Sequence, residues 1–323
     1  MGPVRFERLG DFLKPRVIPF LVGVVVILMI ADFGSAVAED PQPRRMTLDR
    51  YGITIEYRAK DQKVAEKVAS ICTERLPDLS HELGLDAVKP FHVFLIPDMP
   101  AYRKKLGLRV PEWGVAFAFT ENQIMLVDVV KAANAWNSLE KVIPHELSHL
   151  LLAQRVEGVR FPLWFMEGLA QWQAHEWSIL ESWRLMEAVW GNRAPSLAQI
   201  SSSLPANETQ VRDAYRVAYA AFLHRFEERT ELIPAFLNET ERRRDFGEAF
   251  EAFWGESEFD YYARFAEHLS AKYRSRLMLF QTGPLFTLMA VLFLIVMLRI
   301  WIRNRKKLRQ MDRIERRSSL DDY

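Results

Sequence analysis

A single cysteine, Cys72, is all the thiol chemistry that the 323 residues carry. No disulfide can form within the chain, and no cysteine cluster can hold a metal. Basic charge is scarce where nucleic acid would need it. The formal net charge of +1 is the sum of opposed parts: residues 1–16 carry four basic and two acidic groups, and residues 303–323 carry eight and four. Everything between these ends sums to −5. That middle presents no basic face to a phosphate backbone, so nucleic acid is excluded as a partner. Internal repeats, low-complexity tracts and Gly/Ser-rich linkers are missing from residues 39–276, which therefore read as one compact domain. With 49% hydrophobic and 26% charged residues, the chain has ample material for a core.

The basic ends flank apolar runs. Val17 to Ile30 follows Arg5, Arg8, Lys14 and Arg16 and leads to small residues at Ala36 and Ala38. This pattern predicts a secretory signal peptide over residues 1–38, with an uncleaved anchor as the alternative. Either form exports the domain that follows. A second run, Leu277 to Leu298, contains no charge and is long enough for a membrane-spanning helix. Arg299, Arg303, Arg305, Lys306, Lys307 and Arg309 come after it, and positive clusters beside a span stay in the cytoplasm. The expected layout is an extracytoplasmic (periplasmic) domain at 39–276, a transmembrane helix at 277–302 and a basic cytoplasmic tail at 303–323. The protein is thus expected to be single-pass in the cell (inner) membrane.

Within the domain, Ile53 to Arg58 alternates as a half-buried strand does, and Phe91 to Ile96 reads as a second strand. Asp61 to Leu85 has helical spacing, with Val64, Val68, Ile71 and Leu76 on one face. Two short strands, Gly114 to Phe119 and Gln123 to Val127, are joined by Thr120, Glu121 and Asn122. From Asn137 onward the pattern is helix after helix. The expected class is α+β, with a small, mostly antiparallel N-terminal sheet, a helical remainder and a C-terminal transmembrane helix. The tryptophans Trp164, Trp172, Trp177, Trp183 and Trp190 read as core rather than as a substrate box.

The chemistry concentrates in His145-Glu146-Leu147-Ser148-His149. Asn137 with Glu140 is a plausible helix start and Gly158 a plausible stop, which places the pentapeptide on a helix. Positions i and i+4 share a face, so both imidazoles can reach one ion, and Glu146 then faces the water such an ion would hold. By chance alone this pentapeptide pattern arises in about one chain of this length in a hundred. A second element accompanies it. Leu163-Trp164-Phe165-Met166-Glu167-Gly168-Leu169-Ala170 supplies a carboxylate 18 residues after His149. Pro162 suits the first turn of a new helix, and a helix-turn-helix can fold Glu167 back beside the imidazoles. Three protein ligands and one open position make a catalytic zinc arrangement.

These two segments, with the hairpin ending Ile124-Met125-Leu126-Val127 and the later Tyr215 to Phe226, resemble the peptidase MA-like group of gluzincin zinc metallopeptidases. The resemblance runs in order and spacing over roughly Phe91 to Tyr273 and is specific only between His145 and Ala170. It implies a gluzincin-like catalytic region, zinc held by His145, His149 and Glu167, Glu146 as general base, and a peptide or protein as substrate. Gln171 departs from the pattern, because such proteins often carry a carboxylate four residues after the glutamate ligand; the groups that orient the ligands are therefore open. Gluzincins also commonly add a phenol or imidazole donor for the oxyanion, and the candidates are Tyr215 and Tyr219, four residues apart on one helix face. The resemblance favours Tyr215.

An intramembrane protease is excluded, because Glu140, Lys141, Gln154 and Arg155 flank the motif closely. Two classes remain: a peptidase, and a catalytically inactive relative acting as a membrane-bound interaction module. Retention of Glu146 favours catalysis, since a domain that only binds has no need of a base beside the metal. Endopeptidase action is expected over aminopeptidase action, because Ala118-Phe119-Thr120-Glu121-Asn122 keeps only the last two residues of the Gly-x-Met-Glu-Asn motif that gluzincin aminopeptidases use.

Overall fold

The computed structural model describes residues 43–107, 111–203, 207–227, 229–281 and 284–318, with the side chains of 274–286, 304 and 306–318 left out of the description. The signal-peptide segment at 1–38 lies outside the described residues. By internal packing the chain forms two units, one ending at Ala266 and one beginning at Glu267.

The first unit opens with strands β1 (Arg44–Leu48) and β2 (Ile53–Tyr57), followed by the long helix α1 (Gln62–Glu82) and strand β3 (His92–Ile96). Helix α2 (Met99–Leu106) leads to β4 (Ala116–Phe119) and β5 (Ile124–Asp128). The five strands form one sheet in the order β1-β2-β3-β5-β4. The sheet is mixed, which corrects the mostly antiparallel expectation. β1–β2 and β4–β5 are antiparallel, whereas β2–β3 and β3–β5 are parallel. The cause is the connection: a helix of 21 residues joins β2 to β3, and a crossover of that size returns the chain in the same direction. The parallel centre also explains why Val93 to Ile96 and Ile124 to Val127 read as continuous apolar runs, all buried. β1 escaped the sequence reading because Arg44-Arg45-Met46 lacks alternation; as an outer strand it leaves both arginines exposed.

Helices fill the rest: α3 (Val129–Asn134), α4 (Leu139–Arg155), α5 (Leu163–Gln173), α6 (Ile179–Trp190), α7 (Leu197–Ile200), α8 (Glu208–Phe226), α9 (Leu232–Arg243) and α10 (Phe246–Trp254). α4 turns Leu139, Ile143, Leu147, Leu150 and Leu151 inward, and it packs against α1 and β4. Each such side chain gains about 1.5–3 kcal/mol on burial. The Lys67–Glu140 ion pair between α1 and α4 is screened by solvent at the exposed Glu140, so burial decides this contact. Pro144 lies inside α4 rather than at its start, and Ser138 precedes the helix without a side-chain cap, so the expected Asn137 start is not formed. α5 and α8 pack against each other around Phe165, whose ring centroid lies 5.8 Å from Phe222 and 6.1 Å from Phe226. Trp164 is fully buried in this aromatic core, but Trp183 is 45% exposed, contrary to the expectation that the whole tryptophan series is core.

Helix α11 (Glu258–Gln281) begins in the first unit, and α12 (Pro284–Ser318) belongs to the second. Among the described residues no helix is long and apolar enough to cross a membrane. The apolar run Leu277 to Leu298 is divided between the end of α11 and the start of α12, and its first ten side chains are outside the description.

Candidate metal centre

α4 carries His145 and His149 one turn apart, and their rings meet edge to face with centroids 4.9 Å apart. α5 brings Glu167 to the same point: Oε2 lies 3.2 Å from His145 Nε2 and 3.8 Å from His149 Nε2. The three ligand atoms all stand within 4.8 Å of one another. Glu167 is 8% exposed, yet no donor completes a hydrogen bond to its Oε2, and the buried Nδ1 of His149 has no partner either. A buried carboxylate oxygen without a donor is costly, and a cation supplies what is missing. His145, His149 and Glu167 thus form a buried cluster that can hold a metal ion.

The ligands are tuned by their surroundings. Burial pushes the His149 imidazole down to about 4, aided by neighbouring His145 and only partly offset by Glu167 and Glu176, so the ring is neutral, as a ligand must be. Burial opposes charge on His145 as well, but Glu176 and Glu167 outweigh it and hold this imidazole well above its ordinary value. Burial also works against the Glu167 carboxylate; the nearby imidazoles of His145 and His149 overcome it and keep its pKa lowered.

Sequence reasoning missed the group that orients His145. Glu176 Oε1 sits 3.0 Å from His145 Nδ1, on the side opposite Glu167. A helix ending explains how it arrives there. α5 stops at Gln173, His175 takes the left-handed conformation with φ 51°, and two bonds close the turn: His175 N–H to Trp172 O at 3.1 Å and Glu176 N–H to Gln171 O at 3.1 Å. This is a Schellman ending with a histidine where glycine is usual. It reverses the chain so that Glu176 faces α4. The only hint in the sequence was a second carboxylate nine residues after Glu167, with no glycine to mark the reversal. Gln171, where the resemblance led one to look for a carboxylate, has another task. Its side-chain amide donates to Glu167 O at 3.1 Å and to Tyr215 O at 2.9 Å, tying α5 to α8.

Glu146 points from α4 toward β4, where its Oε2 accepts the Ala118 N–H at 2.6 Å. Burial pushes this carboxyl up to about 7; His145 and the Ala118 N–H pull it down, while Glu167 pushes it further up. Tyr215 and Tyr219 part company. Tyr215 lines the same cleft as His145, Glu146, His149 and Glu167, its ring 6.4 Å from both His145 and Trp113. Burial, with the negative charge of Glu167, Glu146 and Glu176, raises its phenol far above the usual range, so it is always protonated and able to donate. Tyr219 is 8% exposed and stacks on Trp177 at 4.3 Å, and it is not among the residues of the cleft wall.

The cleft encloses about 520 Å³ and is walled on one side by residues 113–120, including all of β4. Among the described residues β4 ends the sheet, and its outer edge has no strand partner there. No known family model matches the sequence, and no curated protein is detectably similar to it.

Proposed function

We propose that the protein is a membrane-anchored zinc endopeptidase. The observation that carries this reading is the convergence of two imidazoles and a carboxylate whose buried Oε2 has no donor, with a second carboxylate, Glu146, on the wall of the same cleft. Zinc suits the donor set. Two imidazole nitrogens and one carboxylate oxygen are donors zinc takes, and the two imidazole-to-carboxylate separations here are 3.2 and 3.8 Å, with all three atoms within 4.8 Å of one another.

Held by His145, His149 and Glu167, a zinc ion would supply polarisation of a substrate carbonyl and acidification of a water. The chain's own groups do the rest. Glu146 accepts the proton of the attacking water and passes it to the leaving amine. The Ala118 N–H holds one of its oxygens, Oε2. Tyr215 donates to the carbonyl oxygen as it gains negative charge. The free edge of β4 pairs with an extended peptide backbone. Glu176 keeps His145 turned so that Nε2 faces the metal.

The membrane placement belongs to the same reading. It is supported by the uncharged run Leu277 to Leu298, the basic residues after it, and the exposed apolar side chains from Leu288 to Ile302 on α12. Protease added to intact spheroplasts should digest the body and spare an epitope placed after Arg309. Protection of the body would overturn the exported layout.

The decisive experiment compares four variants. His145→Ala, His149→Ala and Glu167→Ala should each lose stoichiometric zinc, whereas Glu146→Gln should retain one zinc per chain and lose peptide cleavage. Cleavage at the parent rate by Glu146→Gln would sink the mechanism, and full zinc in Glu167→Ala would move the third ligand elsewhere.

A further inference from the structure

Helix α8 brings a second polar side chain to the cleft besides Tyr215. Among the described residues of the cleft wall, Arg212 is the one arginine or lysine. It stands three positions before Tyr215, and side chains at i and i+3 of a helix are neighbours on one face, with Cβ atoms about 5–6 Å apart. Tyr215 in turn lies beside His145, with ring centroids 6.4 Å apart. A guanidinium is therefore one helical turn from the group that meets the reacting carbonyl. The mechanism above gives it no part.

Its bonds leave it available. Arg212 donates from Nη2 and Nε to Glu208 Oε1, at 2.7 and 3.2 Å, one turn back on the same helix. Both side chains are about half exposed, 56% and 50%. A pair so open to water is screened and holds its members weakly, so a substrate carboxylate replaces Glu208 at little cost. Arg216, the next arginine on α8, shows the contrast. It is 7% exposed and locked between Asp213 at 2.7 Å and Glu181 at 2.6 Å, which ties α8 to α6 and leaves that guanidinium no freedom to meet a ligand.

The rest of the cleft narrows where a substrate anion can sit. Its carboxylates, Glu146, Glu167 and Glu176, gather around the histidines, and like charge disfavours a substrate carboxylate beside them. On the Tyr215 side the wall is apolar at Trp113, whose ring lies 6.4 Å from that of Tyr215. Apolar surface displaces water and strengthens an ion pair formed against it. Within the cleft, Arg212 is the place that attracts an anion.

We infer that Arg212 is a specificity-determining residue, which pairs with a substrate carboxylate one or two residues from the bond that breaks. An extended peptide advances about 3.3 Å per residue, so the turn of about 5.4 Å between Arg212 and Tyr215 corresponds to that distance along the substrate. The carboxylate has two sources, an Asp or Glu side chain and the C-terminus of the peptide. This rests on the peptidase reading and deepens it by naming the class of substrate.

The probe is a neutral decapeptide, blocked at both ends, that the full-length, zinc-loaded protein cleaves at one bond located by mass spectrometry. Glu is placed in turn at each position within three residues of that bond, with Gln at the same position as the isosteric reference. For at least one position the Glu peptide should show kcat/KM at least tenfold above its Gln reference. Gln peptides ending one or two residues after the bond, with free or amidated ends, test the second source: a tenfold preference for the free end assigns the pairing to the C-terminal carboxylate. Either preference should fall below twofold in Arg212→Gln and persist in part in Arg212→Lys. Arg212→Glu should reverse the side-chain preference, so that a Lys peptide is cleaved at least fivefold faster than its Glu counterpart, a swap that a merely structural arginine would not produce. Arg184→Gln removes an arginine from a neighbouring cavity that Arg212 also borders, but not from the cleft wall, and should keep the full preference. Zinc at one per chain in each variant reports an intact site. No preference for a carboxylate at any position or end, or one that survives Arg212→Gln, refutes the assignment while the cleavage itself leaves the peptidase reading standing. If the zinc-loaded wild-type digests no member of a random peptide library, the peptidase reading fails and takes this inference with it.

Discussion

Gly168 follows Glu167 of the candidate metal cluster in α5 and lies where α5 meets α8. A Cβ built on it would stand 2.6 Å from Ala218 O and 2.6 Å from Phe222 Cβ, with the Ala218 carbonyl carbon at 3.2 Å. Carbon atoms pack at about 3.5–4.0 Å, so Gly168→Ala forces the two helices apart by roughly 1 Å. The carbonyl is part of α8 and cannot rotate away. Overpacking of this kind costs about 1–3 kcal/mol, and alanine's better helix propensity returns about 1; because the clash is with rigid backbone, the upper end applies and a net loss of about 2 kcal/mol is expected. For a unit of this size, each kcal/mol lowers Tm by about 2–4 °C, which gives roughly 4–8 °C. The consequence reaches the site, because α5 carries Glu167 and α8 carries Tyr215, and a displacement near 1 Å can cost about a hundredfold in activity. Thermal unfolding without added metal, followed by a zinc titration against a chelating dye, measures both effects. Gly247→Ala is the control: it is also helical, and its Cβ would meet nothing closer than the Asp245 side-chain oxygen at 3.3 Å, so that variant should be at least as stable as the parent, by up to about 1 kcal/mol. A Gly168→Ala protein as stable as the parent, with unchanged zinc affinity, would refute the claim that this close approach sets the site.

Three further outcomes are expected. Glu176→Gln should weaken zinc binding about 10–100-fold, because the amide orients His145 without the charge, and an unchanged dissociation constant would remove Glu176 from the centre. Tyr215→Phe should keep zinc and fold yet lose on the order of a hundredfold in kcat, while Tyr219→Phe stays within about threefold; the reverse pattern in steady-state kinetics would transfer the role to Tyr219. Burial pushes the Cys72 thiol from its ordinary 9.0 up to about 12, so iodoacetamide at neutral pH should label it only after unfolding. Because the unfolded chain gives up this proton first, the thiol's contribution to stability is intact below pH 9 and declines from there toward pH 12; Cys72→Ala should flatten that part of the curve, and identical alkaline unfolding of the two proteins would contradict it.

What the sequence determined by itself is what depends on neighbours along the chain. Helical periodicity placed His145, Glu146 and His149 on one helix, and the apolar alternation and turn residues located four of the five strands to within a few residues. Spacing brought Glu167 into consideration, because a carboxylate 18 residues on needs only one reversal to return to the same point. Tertiary structure decided the rest. The parallel centre of the sheet follows from where α1 crosses it, and no local pattern in β2 or β3 encodes the partner. Glu176 reaches His145 through a left-handed turn at His175, a conformation whose usual marker, glycine, is absent there. The Ala118 N–H that holds Glu146 belongs to the backbone, which leaves no trace in residue identity. Tyr215 and Tyr219 share a helix and a face in sequence, and only the packing of α8 sent one into the cleft and the other onto Trp177. Local rules reach about one helical turn or one strand pair along the chain. A site assembled from β4, α4, α5 and α8 is fixed by contacts between residues up to a hundred positions apart, and those depend on how the whole core closes.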